Sequence, residues 1–434
     1  MSLIQQRGLQ RVWGELNLES QKAVLEELRS LPLELQEKQK EVLFATRQEE
    51  KIYIPWQKST HEVSSAVEDL GKDLLSKGKV ACLVLTGGAG SRMGSPFPKG
   101  MIPVSLIKKK SLIQILCEKT LYAGLRYKRK LPLIFMTSPS THQEIVDFLE
   151  KHRYFGLEQE LVYFFTQEEL PLCDEKGNWF LSSSGKLAKG PDGNGRCLHL
   201  FYDSGLFDVL FSQGVEYLQV VPVDNALADP FDAAFVGLHH TEQSEVSIKS
   251  VERASKDEEI GVLASFEGSL RVVEYNELGE ELKKQEQFSL GHTGLYCFSF
   301  SFIASLVRLK HQLPWHVAWK KAKQWPSGEE KLVAKFESFL FDVFAFATKF
   351  SVLVCPRSSC FSPLKNATGS YSLRVVAQDL LALDRQMYLL LTGKRPPSAP
   401  FELSLAFYYL TPEQRAFYRE KGLAPYEYIE SIFR

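Results

Sequence analysis

The sequence predicts an α/β protein built on a mixed, mainly parallel sheet, with N-terminal helices and a small C-terminal lobe. Three observations carry this expectation. Short, continuous apolar runs recur through the middle of the chain, as buried parallel strands require. Segments of helical periodicity alternate with them. Glycines close the first such run, and the carboxyl ends of parallel strands are where sheets of this kind bind ligands.

Residues 1 to 50 carry apolar side chains at helical spacing, as in Val24, Leu25, Leu28, Leu31 and Leu35, which predicts two or three helices. A further helix runs through Val67, Leu70, Leu74 and Leu75. Val80-Ala81-Cys82-Leu83-Val84-Leu85 is the first buried strand. A long loop leads to a helix through Leu112, Ile115, Leu116 and Leu121. A strand at 131–136, a helix at 144–150, a strand at 161–165 and a strand at 217–223 continue the alternation, the last ending in Asp224. Shorter alternating strands between 244 and 274, such as 269–275, extend the sheet. Residues 329–350 have a helical pattern, 351–355 read as a strand, and the remainder reads as a short tail with helical patches. The expected division is an N-terminal helical region at 1–60, a central domain at 61–350 and a small C-terminal domain at 351–434.

The bulk numbers exclude several classes. With 434 residues, 44% hydrophobic and 24% charged, the chain has apolar material for a large core. Its formal net charge of -1 gives no sign of a nucleic-acid or membrane partner. Seven cysteines form no C-x-x-C pair and the histidines supply no zinc spacing, so reduced thiols are expected. No signal-like run opens the chain, and no stretch approaches the ~20 apolar residues that span a bilayer. A cytoplasmic location is expected.

Leu85-Thr86-Gly87-Gly88-Ala89-Gly90-Ser91-Arg92-Met93-Gly94 directly follows the first strand. Glycines let backbone N–H groups approach an anion closely. No Gly-Lys-Ser/Thr closes the loop, and its glycine spacing is not the dinucleotide fingerprint. Arg92, with Lys99 in Pro98-Lys99-Gly100, adds two cations suited to a triphosphate.

LTGGAGSRMGSPFPKGM resembles the signature loop of the eukaryotic-type UDP-sugar pyrophosphorylases and is most similar to the UDP-N-acetylglucosamine branch. Further segments match in order: Met136-Thr137-Ser138, KHRYFG at 151–156, Gln167, Pro191-Asp192-Gly193-Asn194-Gly195, Val223-Asp224-Asn225, Val273-Glu274-Tyr275, Lys335-Phe336-Glu337 and FSPLKNA at 361–367. The match covers roughly 60 to 380. It implies a Rossmann-like nucleotidyltransferase (GT-A-like) fold that takes UTP and a hexose 1-phosphate, with Mg2+ as cofactor.

The resemblance assigns Arg92, Lys99 and Lys365 to the reacting phosphates, and Lys335 more weakly. Gly87, Gly88 and Gly90 would line the nucleotide, and Gln167 and Gly193 would read uracil. Asn194 and Glu274 would bind sugar hydroxyls, and Asp224, at a buried strand end, would hold magnesium. One departure stands out. His292, in Gly291-His292-Thr293, occupies a position near the sugar where N-acetylglucosamine enzymes have asparagine. The loop at 191–195 favours the N-acetylglucosamine branch, because glucose enzymes carry a histidine after its glycine. Glucose 1-phosphate or a broader hexose range is the alternative. A glycosyltransferase is disfavoured because Asp224 is not part of a D-x-D pair. A non-catalytic binding protein is disfavoured because these charges are costly to keep together without anions.

Overall fold

A strand buried on both faces must be apolar along its whole length, and Val80–Leu85 meets that requirement. It pairs in parallel with Leu133–Thr137 on one side and Tyr217–Pro222 on the other. Val162–Thr166 adds a fourth parallel strand beyond Leu133–Thr137. The computed structural model describes residues 9–45, 52–88, 90, 93–275, 277, 287–424 and 426–433. Contacts divide the chain into two compact units, one of Tyr53–Thr166, Leu198–His311 and Phe344–Arg434, the other of Met1–Ile52, Gln167–Cys197 and Gln312–Val343.

The larger unit holds a ten-stranded mixed sheet with this parallel set at its centre. Leu290–Ser299 pairs antiparallel with Tyr217–Pro222 and carries the sheet onward to Val246–Glu252 and Val262–Phe266. Phe350–Val354 returns parallel to Val246–Glu252, and Ser269–Val273 flanks Val262–Phe266. Helices Ser65–Ser76, Leu112–Tyr127 and His142–Lys151 follow the expected alternation, and Ala233–Thr241 adds one more. Ser111 caps the second of these by accepting from Gln114 N at 3.1 Å. Leu112, Ile115 and Leu116 of that helix join Val80, Cys82, Val84, Leu133 and Phe135 in one core.

The smaller unit explains the N-terminal periodicity. Helices Gln10–Trp13, Leu18–Ser30 and Leu35–Phe44 place Val24, Leu28 and Leu35 against Cys173, Trp179, Leu187 and Phe336. Gln39 is fully buried, donating to Pro171 O at 2.8 Å and accepting from Trp179 Nε1 at 2.7 Å. The helices therefore find their apolar partners far along the chain. That is why the compact units are not the three consecutive segments 1–60, 61–350 and 351–434.

Two local expectations are corrected. Residues 329–350 are not a helix: Glu330–Glu337 is a strand, followed by 3-10 turns at Leu340–Phe346. An eight-residue antiparallel register with His316–Lys323 outweighs the helix propensity of Glu, Lys, Leu and Ala there. The C-terminal residues form a 20-residue helix, Leu373–Thr392, whose Tyr388 and Leu391 pack with Phe401, Leu403, Phe407 and Tyr418. Among the described residues, no helix is long and apolar enough to cross a membrane.

His239 lies on the helix Ala233–Thr241, with Nδ1 2.6 Å from Ser247 Oγ and Nε2 2.9 Å from Ser299 Oγ. Burial pushes its pKa from 6.5 down to about 3. A folded value below the unfolded one means that the stabilisation is complete above pH 6.5 and is lost as pH falls toward 3. Urea unfolding measured between pH 7 and 4 is expected to show stability dropping with a contribution from this group of roughly 1 kcal/mol per pH unit, and His239→Gln should flatten the slope.

Candidate functional site

Leu85 and Pro222 are register partners, so the two central strands end in step. The loop after Leu85 and the turn after Pro222 therefore emerge side by side. Thr86 fixes the start of the loop, donating from both N and Oγ1 to Met136 O at 2.8 Å. Lys99 N then donates to Gly88 O at 3.1 Å and folds the loop back on itself. Gly90 sits at φ +69°, where an added Cβ would lie 2.7 Å from Phe97 O. Gly87 and Gly88 lie on the open part of the loop. Arg92 lies outside the described residues.

The loop returns Lys99 to the rim, where its Nζ stands 3.1 Å from Asp224 Oδ2. Both side chains retain about a fifth of their exposure, 22% and 19%. Asp224 O accepts from Leu364 N at 2.8 Å, which seats Ser362-Pro363-Leu364-Lys365 on the turn. Buried Asn225 completes the join, donating to Cys360 O at 2.7 Å and accepting from Ser362 N at 2.9 Å. In the sequence Asn225 is visible only as Asp224's neighbour; its bridging role depends on a partner 137 residues away.

Lys365 N donates to Tyr371 O at 2.8 Å, and its Nζ lies 5.4 Å from the centre of the Tyr371 ring. Its charge reaches His292. Burial first, and the Lys365 ammonium second, push the His292 pKa down to about 3. The His292 ring is therefore neutral at physiological pH, and its Nε2 meets Tyr296 OH. Its backbone N donates to Gly261 O at 2.8 Å. Val262 pairs with Val273 on one side and Gly291 on the other. One step further along, Glu274 and His292 flank Gly261, and Glu274 Oε1 stands 3.3 Å from where a Gly261 Cβ would be. The larger unit thus gathers Lys99, Asp224, Lys365, His292 and Glu274 along one rim.

The smaller unit gathers Gln167, Gly193, Asn194 and Lys335. Gln167 is buried, and its neighbour Glu168 accepts at its carbonyl from Asp192 N at 3.1 Å. Gly193 has φ +88° and bridges to Ser338; a Cβ there would lie 2.2 Å from Ser338 O. Asn194 Oδ1 accepts from Leu340 N at 2.9 Å, so its carbonyl is already committed to the fold. Lys335 projects from a strand, not a helix, and is paired with Glu337. Asp192 Oδ1 is buried without a hydrogen-bond partner among the described residues, and burial pushes its pKa up to about 7.

An α/β sheet with a glycine loop, a lysine and a carboxylate at adjacent strand ends is the architecture of a nucleotide-handling transferase. Residues 33–411 match the family described as UTP--glucose-1-phosphate uridylyltransferase, and the chain belongs to that family. A Dictyostelium discoideum protein named a probable UDP-N-acetylglucosamine pyrophosphorylase is 36% identical over 330 residues, covering 70% of this chain and 68% of the relative. The UDP-N-acetylglucosamine pyrophosphorylase of Saccharomyces cerevisiae is 32% identical over 69% of this chain and 67% of its own. An Entamoeba histolytica crystal structure, provisionally assigned as a UDP-N-acetylglucosamine pyrophosphorylase, superposes with a TM-score of 0.77 at 29% identity, covering 88% of this chain and 99% of that one.

The two glycine environments separate folding from ligand approach. Gly193→Ala is expected to destabilise the protein by roughly 2–4 kcal/mol in urea unfolding. An added Cβ at Gly88 meets nothing nearer than Lys99 Cε at 3.8 Å. Gly88→Ala should therefore leave stability within about 0.5 kcal/mol of the parent.

Proposed function

We propose that the protein joins UTP to N-acetylglucosamine 1-phosphate, releasing pyrophosphate and UDP-N-acetylglucosamine. The observation that carries this is the Lys99–Asp224 pair, held 3.1 Å apart beside the glycine loop. Family membership and the similarity to named N-acetylglucosamine enzymes support the choice of substrates.

The chemistry needs no general base from the protein. A sugar 1-phosphate has a second pKa near ~6 and is largely a dianion at neutral pH. Its oxygen attacks the α-phosphorus of UTP in line, and pyrophosphate leaves. The protein must align two polyanions and neutralise charge as it develops. Lys99, with Arg92, is assigned to the β and γ phosphates, and the backbone of Gly87, Gly88 and Gly90 to the nucleotide. Lys365 is assigned to the sugar phosphate and the attacked phosphorus, with Lys335 in a supporting role. Gln167 and Gly193 are assigned to uracil, whose donor and acceptor edge an amide can match. Asn194 and Glu274 are assigned to sugar hydroxyls.

The donor set at Asp224 fits magnesium. This ion takes one or two carboxylates and fills its other positions with phosphate oxygens and water. One Asp224 oxygen faces Lys99, and the side chain keeps 19% exposure. Bound there, magnesium would neutralise phosphate charge. Lys99 and Asp224 face each other at 3.1 Å; a triphosphate would offer Lys99 a stronger partner, and Asp224 would be the carboxylate that holds the metal. Neutral His292 adds no charge near Lys365 and offers a hydrogen-bonding edge to the sugar. We also assign the protein to the cytoplasm, where its seven free cysteines stay reduced.

The test is pyrophosphate release with UTP, magnesium and either N-acetylglucosamine 1-phosphate or glucose 1-phosphate. Turnover with the N-acetyl sugar is expected, and Lys99→Ala and Asp224→Ala should each lower kcat on the order of 100-fold. No turnover with either sugar would overturn the proposal. Turnover with glucose 1-phosphate alone would replace the assigned sugar.

The sugar edge has its own test. His292→Asn is expected to raise the ratio of kcat/KM for the N-acetyl sugar over glucose 1-phosphate by about tenfold, the scale of one hydrogen bond. An unchanged ratio would remove His292 from the sugar site.

A further inference from the structure

Away from the rim, the larger unit holds a partly open cavity of about 130 Å³ under the helix Leu373–Thr392. Most of its wall is apolar, formed by Leu106, Ile115, Leu227, Leu380, Leu403 and Leu405. A cavity of this size accommodates a one-ring molecule. Its floor is the turn after Asp224. There Lys119, 6% exposed, donates to Ala228 O at 2.7 Å and Ala226 O at 3.3 Å.

The polar part of the wall is out of charge balance. Lys110, Lys119, Asp229, Asp384 and Glu402 line the cavity. Lys110 is taken up by Glu118 at 2.7 Å, and the ammonium of Lys119 is spent on the two carbonyls. Glu402 is satisfied by Ile107 N and Lys108 N, both at 2.9 Å, with Lys110 4.0 Å away. Asp384 is 7% exposed, yet its oxygens accept only from neutral donors: Tyr408 OH at 2.5 Å and Leu403 N at 3.1 Å. Asp229 likewise accepts from Tyr409 OH at 2.8 Å and Phe231 N at 3.1 Å. Neither aspartate forms an ion pair among the described residues. A buried carboxylate without a direct ion-pair partner is costly, and burial pushes Asp384 up to about 7 against the more distant pull of Lys110.

We propose that this cavity is a second ligand site, taking a small organic ammonium ion whose hydrocarbon body fills the leucine-lined space and whose charge neutralises Asp384. An apolar molecule would fill the volume but leave the carboxylate unpaired. An anion would meet three carboxylates, with Lys110 already held by Glu118 and Lys119 by two carbonyls. The site is separate from the nucleotide rim, and the inference does not rest on the uridylyltransferase proposal. It does share a structural element with the rim: Leu227 and Asp229 of its wall lie within five residues of Asp224.

The test is calorimetric titration of the full chain with benzylamine, benzyl alcohol and benzoate, which share a ring and differ in charge. Benzylamine is expected to bind at least tenfold more tightly than benzyl alcohol, and benzoate not to bind. Asp384→Asn should bring benzylamine down to the affinity of the alcohol. Ala377→Phe, which fills the cavity from the helix Leu373–Thr392, should abolish binding of both and covers the case in which Asp384→Asn fails to fold. Equal binding of amine and alcohol by the parent protein would overturn the proposal. So would benzylamine binding that survives Ala377→Phe undiminished.

Discussion

Two neighbouring parallel strands that end in step govern the layout of the whole rim. Because Leu85 faces Pro222, the chain must leave the sheet twice at the same edge, a few ångströms apart. One exit must turn without side-chain bulk, hence the glycines. The other delivers a carboxylate. Lys99 can reach Asp224 only because Gly88 O accepts from Lys99 N and brings the far end of the loop home. Lys365 is then located by the same turn, through Leu364 N and the two-way bonding of Asn225. Four separated segments thus depend on one register.

Electrostatics sets the charge layout of this rim. Lysine and aspartate held at 3.1 Å with a fifth of their surface exposed form a pair of modest net worth in water. Such a pair is easily exchanged for stronger partners. His292 works in the opposite sense. Its ring is kept neutral by burial and by the Lys365 ammonium, so the lysine remains the cation of that part of the rim.

Much of this layout is legible in the sequence, for identifiable reasons. Val80–Leu85 can be read to the residue because an unbroken apolar run closed by glycines has few alternatives. The Asp224 strand and the flanking helices are legible on the same ground. Residues 330–337 are not, because the preference for a strand comes from His316–Lys323, a partner with little apolar signal of its own. The assignment of the N-terminal helices to a unit built from three distant segments is equally hidden, since periodicity marks a buried face without naming what buries it. Among site residues, the rim charges are found from motifs. Asn225's bridge and the capping of the 226–228 turn by Lys119 escape sequence reasoning, because both act through backbone groups that leave no pattern in the sequence.

The same dependence on register holds at the Glu274–His292 end of the rim. Glu274 and His292 reach Gly261 from opposite sides because Ser269–Val273 and Leu290–Ser299 both pair with Val262–Phe266. Their separation is therefore set by sheet spacing and not by loop conformation. A side chain at 261 would fill the space between them, since a Cβ there already stands 3.3 Å from Glu274 Oε1. The same strand carries His292 on an irregularity before Tyr296, which lets the ring meet the tyrosine hydroxyl instead of stacking in the plane of regular cross-strand neighbours. The residues at 274 and 292 are thus presented by strand pairing, as Lys99 and Asp224 are presented by the ends of the central strands.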